Sequence, residues 1–200
     1  RLGGGVAHLE AQSLRLAFDV DLREQLADGF GADAEIETLA APLLLHLEQP
    51  LVLENPSTYL TFAASSMPEE EFIARLAVEA DCALLLDVNN VYVTCRNHDL
   101  DPVAYLDAIP YEHVVQVHLA GHTDNGTHCI DTHDGRVIDA VWDLYGRVIA
   151  RAGGRATLLE WDANIPKFSV LQQEVKKAAR FRNGLREAAE AVRAKQADVQ

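Results

Sequence analysis

Four short apolar runs in this chain each end in a polar side chain able to bind a metal. They are Leu51-Val52-Leu53 before Glu54, Ala83-Leu84-Leu85-Leu86 before Asp87, Val114-Val115-Gln116-Val117 before His118, and Ala156-Thr157-Leu158-Leu159 before Glu160. A run of about four apolar residues reads as a strand buried on both faces, as in a parallel sheet. A polar residue just past such a run lies at the carboxyl edge of the sheet, where α/β proteins place their chemistry. One such ending means little. Four, at intervals of 33, 31 and 42 residues, describe a single site assembled from successive βα units.

The intervening sequence supplies the helices that such units need. A helical stretch over residues 37–47 leads to the first run. Pro68, followed by Glu69, Glu70 and Glu71, marks a helix start, because proline suits the first turn and acids favour the positive end of the dipole. That helix is expected to reach about residue 80. Asp101-Pro102 opens another through Asp107, stopped by Pro110, and a longer one over residues 137–150 ends at Gly153-Gly154. Residues 174–195 are Ala-rich with amphipathic spacing and are expected to close the fold as a helix. Within residues 1–35, a strand over 14–20 and a short helix over 21–26 are the only elements suggested.

Alternation of this kind predicts an α/β fold with a parallel sheet. A closed eight-unit barrel takes about 200 to 250 residues. Four or five βα units therefore predict a TIM barrel that is incomplete, or truncated at its N-terminus. Residues 1–35 form a divergent, poorly assigned segment. Residues 36–200 form the metal-binding part of a single barrel domain.

The net charge of −14 argues against a large phosphate-binding face, so no nucleic-acid partner is expected. No run approaches the roughly 18 apolar residues of a membrane span, and the first residues do not read as a signal peptide. A cytoplasmic location is the expectation. Three cysteines without paired spacing, Cys82, Cys95 and Cys129, argue against a disulfide framework. Cys82 reads as a buried strand residue and Cys129 as the most reactive of the three.

The loops after the four runs carry further polar residues: Asn55-Pro56-Ser57-Thr58-Tyr59, Val88-Asn89-Asn90, Leu119-Ala120-Gly121-His122 and Trp161-Asp162, with Asp131-Thr132-His133-Asp134 in a returning loop. Carboxylates mixed with imidazoles suit zinc, manganese or iron, whereas calcium prefers oxygen alone. The lack of cysteine at the strand ends argues against structural zinc. More than four candidate ligands exceed the needs of one tetrahedral ion. Two or three ions sharing carboxylates are therefore expected, with Glu54 and Glu160 as bridges and His118 and His133 as terminal ligands. Alone, each residue reads as a cap, turn or ion-pair partner; His8, His46, His113 and His128 are expected to have no metal role. There is no G-x-S-x-G elbow, no phosphate loop, and no G-x-G-x-x-G after a strand.

The segments Leu53-Glu54-Asn55-Pro56-Ser57-Thr58-Tyr59-Leu60, Leu85-Leu86-Asp87-Val88-Asn89-Asn90-Val91-Tyr92, Gln116-Val117-His118-Leu119-Ala120-Gly121-His122, Ile130-Asp131-Thr132-His133-Asp134 and Leu159-Glu160-Trp161-Asp162 together resemble one family over residues 36–175. It is the MbnB-like multinuclear non-haem iron-dependent oxidases, which have a xylose-isomerase-like TIM barrel. The resemblance implies a centre of two or three irons at the carboxyl face. It also implies oxidation, with dioxygen, of cysteine in a ribosomally made peptide, presented by a small partner protein. Carried over, the metal ligands are Glu54, Asp87, His118, Asp131, His133 and Glu160, with Asn90 a further contact. The same ligand order resembles endonuclease IV, which holds three zinc ions. There a histidine occupies the position of Asn90, and this difference and the acidic charge tell against DNA repair. The family's additional histidines on earlier strands have no counterpart in residues 1–35.

Three functional readings follow from these residues. The first is the iron-dependent peptide oxidase. The second is a divalent-metal sugar isomerase or phosphoester hydrolase using zinc or manganese. The third is a non-catalytic barrel fragment that only binds a partner.

Overall fold

The computed structural model describes residues 51–197. The helix expected over 37–47 and the elements suggested within 1–35 lie outside the described residues. Four parallel strands form one sheet in the order β1-β2-β3-β6: β1 Val52–Glu54, β2 Ala83–Asp87, β3 Val114–Leu119 and β6 Ala156–Leu159. All four apolar runs are therefore strands of one sheet. In register, Glu54 pairs with Leu85, Asp87 with His118, and Leu119 with Leu159. That alignment brings the polar ends of the four strands to the same edge.

Helices return the chain between strands: α1 Glu69–Glu79, α2 Val88–His98, α3 Pro102–Ala108, α4 Asp139–Ala152 and, after β6, α5 Phe168–Ala197. Their starts follow local chemistry. Glu69, Glu70 and Glu71 fill the first turn of α1. The Asp101 carboxylate caps α3 by accepting from Val103 N, with Pro102 just inside the helix. Helix α4 ends at Gly153, whose φ of 73° is left-handed. Helix α2 begins at once after β2, where the sequence reads as a loop. The short antiparallel pair β4 Thr123–Asp124 and β5 Cys129–Ile130 likewise forms within a segment that reads as irregular.

The core lies between the sheet and its helices. Leu84, Leu86, Val117 and Leu119 meet Val91, Tyr105, Leu106, Val141, Tyr145, Val148 and Ile149, all buried. Phe181 of α5 stacks on Trp142 of α4 at 5.9 Å, edge-on to Tyr145. Trp142 is thus a core residue, its indole donating to Val137 O.

The expectation of strands buried on both faces is corrected for three of the four. Val52 of β1, Val115 of β3 and Leu158 of β6 are 45%, 46% and 44% exposed. Among the described residues β1 and β6 are the edge strands, and Val115 of the inner β3 lies where the β2–β3 register shifts. Only the helix-side face meets the full requirement of a core.

Candidate metal centre

The ends of β1 and β2 are fixed by hydrogen bonds that polar side chains make to backbone. Asn55 extends the β1–β2 ladder beyond its last residue: Asp87 N donates to its Oδ1 (2.8 Å) and its Nδ2 donates to Asp87 O (2.9 Å). Asn90 Nδ2 in turn donates to Asn55 O at 3.0 Å. Asp87 caps α2, with Oδ1 accepting from Asn90 N at 2.8 Å. That leaves the second carboxylate oxygen of Asp87 uncommitted.

The loop carrying Asp131 and His133 is laid across this edge. His133 has φ of 47°, a left-handed conformation costly for a side chain of this size. It is held there from two strands: His133 N donates to Gly121 O (3.1 Å), and Asp162 N donates to His133 O (2.7 Å). A methyl group on Gly121 would lie 2.4 Å from the backbone of Gly135, so glycine is what lets the loop approach β3 so closely. Helix α2 anchors the preceding hairpin, since Asn97 makes both a donated (3.1 Å) and an accepted (2.8 Å) bond to the Cys129 backbone.

Two ligand groups result. Oxygen and nitrogen atoms of Glu54, Asp87, His118 and Glu160 lie within 4.8 Å of one another, as do those of His133, Glu160 and Asp162. Glu160 belongs to both: its Oε2 is 3.2 Å from His118 Nδ1 and 3.3 Å from His133 Nδ1. Glu54 Oε1 approaches His118 Nδ1 at 3.5 Å, and Asp162 Oδ2 approaches His133 Nδ1 at 3.4 Å. On the other side of the His133 ring, Nε2 is 2.7 Å from Asp131 Oδ1.

The electrostatics are those of an acidic cluster with too few cations. Burial pushes the Asp87 carboxyl up to about 6, against the capping bond from Asn90 N. The Asp131 carboxylate against its ring pushes His133 up to about 9, against the opposing effect of burial. Burial alone would lower His118, but the Glu54 carboxylate and its neighbours raise it overall. Asp87 Oδ2, Asn90 Oδ1 and His133 Nε2 are buried without a hydrogen-bond partner. His133 Nε2 lies 2.7 Å from Asp131 Oδ1, as an ion pair. Buried polar atoms are rarely left unpaired. A group of such atoms, all oxygen or nitrogen, on one sheet edge is what a borderline divalent cation requires. The residues fit a metal.

The placement of each expected ligand follows. Glu54, Asp87, His118 and Glu160 come together, and His133 joins them through Glu160. Asp131 reaches the cluster through His133. Asn90 is buried beside Asp87, its amide nitrogen spent on Asn55 and its oxygen unpartnered. Among the described residues Glu54 falls in one of the two groups and Glu160 in both. Asp162 was not among the expected ligands; its position two residues beyond Glu160 was the available signal. Asn89 and His122 also enter the site, with Asn89 Nδ2 donating to Asp131 Oδ1 at 2.7 Å. His113 binds Cys82 O, and His128 sits in the exposed hairpin turn, both away from the site. Cys129 is fully buried, and burial raises its thiol pKa, as it does for Cys82 and Cys95.

A family model described as the RiPP precursor modification enzyme MbnB/TglH/ChrH matches residues 42–183. The chain is similar to curated relatives named UPF0276 protein. One from Anaeromyxobacter sp. strain Fw109-5 is 52% identical over 133 residues, covering 66% of this chain and 47% of the relative. One from Caulobacter vibrioides is 47% identical over 141 residues, 70% of this chain and 50% of the relative. One from Acaryochloris marina is 46% identical over 132 residues, 66% of this chain and 48% of the relative. The chain spans about half the length of the curated relatives it matches.

Proposed function

The chain belongs to the MbnB/TglH/ChrH family of RiPP precursor modification enzymes, and from that premise we propose that the protein is a multinuclear non-haem iron-dependent oxidase. Its substrate is a cysteine of a ribosomally made precursor peptide, and its oxidant is dioxygen. The observation that carries this reading is the shared carboxylate, Glu160, between two groups of nitrogen and oxygen ligands.

Glu54, Asp87, His118 and Glu160 would hold one ion. His133, Glu160 and Asp162 would hold a second, with Asp131 on the far nitrogen of His133 and the free Asn90 oxygen close to Asp87. A third ion would need ligands from outside the described residues. Bound iron supplies redox chemistry at which dioxygen can accept electrons from a thiol.

The chain's own residues prepare the ground. Asp87 and His118 are buried at 0% and 7% exposure, which limits water at the inner ligands. The Glu54 and Asp162 side chains, 43% and 63% exposed, leave one side open to a substrate. Leu60 and Phe62 follow β1, and Ile165 and Phe168 follow β6, all exposed. They offer apolar contact at the rim for a peptide, with a small partner protein presenting it. The four parallel strands are read as an arc of a xylose-isomerase-like TIM barrel within one domain, residues 36–200. No described helix is long and apolar enough to cross a membrane.

The test is metal content by inductively coupled plasma mass spectrometry on chain purified without added metal, then oxygen uptake with a cysteine-containing peptide. At least two irons per chain are expected, both lost in Glu160→Ala. Zinc or manganese with anaerobic turnover would replace the oxidase by the hydrolase or isomerase reading. No bound metal would leave the partner-binding reading.

A further inference from the structure

Asp131 stands out among the ligand residues because two neutral side chains bind it from behind. Its Oδ2 accepts from Ser57 Oγ at 3.1 Å, and its Oδ1 accepts from Asn89 Nδ2 at 2.7 Å. A carboxylate only accepts, so the Asn89 amide must present its nitrogen to Asp131. Its oxygen therefore faces the other way, where it meets His122 Nδ1 at 2.8 Å. An oxygen there demands a proton on Nδ1. A neutral His122 then carries its lone pair on Nε2.

Three further features hold this arrangement. Asn89 is fully buried in the first turn of α2, the turn capped by Asp87. Tyr92, one helical turn further on, lies against the His122 ring at 5.0 Å between centroids, tilted by 30°. Burial also lowers the His122 pKa, which keeps the ring neutral.

We propose that His122 is a positioning residue for Asp131, the carboxylate that holds the far nitrogen of the metal ligand His133: its Nδ1–H supports the Asn89 amide, which in turn holds the carboxylate. The inference rests on the metal-centre reading above. Without the Nδ1–H, the buried Asn89 oxygen loses its donor and the amide is held from the Asp131 side alone, so the carboxylate is less firmly placed. The ion held by His133, Glu160 and Asp162 weakens, while the ion of Glu54, Asp87, His118 and Glu160 stays. Groups that orient metal ligands from outside are worth about 10- to 100-fold in affinity, and a loss of that size is expected at one ion only.

The experiment is a cobalt(II) titration of the full chain, followed by absorbance and by metal stoichiometry, for wild type, His122→Phe and His122→Asn. Phenylalanine keeps the contact with Tyr92 and removes both nitrogens. Asparagine restores an amide nitrogen near the place of Nδ1. Nitrogen-15 imidazole shifts of the wild type report the tautomer directly. The proposal expects an Nδ1-protonated His122, selective loss of one cobalt in His122→Phe, and recovery in His122→Asn. A wild type that takes up no cobalt overturns the metal-centre reading and this inference with it. A wild type with its full complement, and a His122→Phe that matches it, overturns the inference alone. Should His122→Phe fail to fold, the wild-type tautomer decides: an Nε2-protonated ring refutes the proposal.

Discussion

Replacing Gly121 by alanine tests how the ligand loop is seated. The new methyl would stand 2.4 Å from Gly135 C and O and 2.8 Å from Arg136 O. Non-bonded carbon contacts settle at about 3.5–4.0 Å, so the loop must retreat by roughly 1 Å. All three obstructing atoms are backbone, and no rotamer change can relieve them. Overpacking of this kind costs about 1–3 kcal/mol. For a chain of this size, about 2–4 °C of Tm goes with each kcal/mol, so a fall of roughly 2–12 °C is expected. The same retreat pulls on the bond from His133 N to Gly121 O, and metal affinity should drop by about 10- to 100-fold. Gly135→Ala is the control, since nothing lies within 4 Å of its added methyl and its φ is not left-handed. Calorimetry of the metal-free proteins gives the first quantity and cobalt(II) titration the second. A Gly121→Ala protein equal to Gly135→Ala in both would refute the account of the loop.

Other perturbations probe the charges and the core. The raised His133 and Asp87 each contribute stability to the metal-free fold that is present below the ordinary pKa and lost as pH rises through the folded value. Metal-free Tm should therefore fall between about pH 3.8 and 6, and again between about 6.5 and 9. Metal needs the unprotonated ligands, so affinity should rise about 50-fold from pH 7 to 9 through His133 alone; a flat calorimetric titration over that range contradicts this. Arg136→Ala leaves Glu174, whose side chain is 0% exposed, with only Lys177 at 3.1 Å. Urea unfolding should show a loss of about 2–3 kcal/mol, larger than for Glu174→Leu, because the half-exposed Arg136 can regain water. The three thiols should resist Ellman's reagent in the native chain and react in denaturant; a rapidly labelled Cys129 would contradict its burial.

The strand ends were legible because their signal is local: an apolar run followed by a ligand type needs no knowledge of the partner strands. Helices α1, α3 and α4 were legible from proline, acids and glycine at their ends. Helix α2 was not. Its start, Asp87-Val88-Asn89-Asn90, has the composition of a turn; the Asp87 cap, with bonds donated by Asn90 to Asn55 and by Asn89 to Asp131, accompanies the helix there. The exposure of Val52 and Leu158 was hidden for a related reason, since an edge strand and a central strand share one hydrophobic pattern. Asp162 was visible but unweighted, because a carboxylate two residues past a ligand acquires meaning only once His133 folds over it. The partnership of Asn89 and His122 spans 33 residues and follows no periodicity at all.

The burial of Cys82, Cys95 and Cys129, each at or below 2% exposure, has a consequence beyond packing. A protein that handles the sulfur of another molecule in the presence of dioxygen invites damage to its own. Sequestered and held as protonated thiols, these three are poor substrates for the chemistry next door. On the proposed activity, the catalyst tells foreign cysteine from its own by access, and repeated turnover should leave its own sulfur reduced.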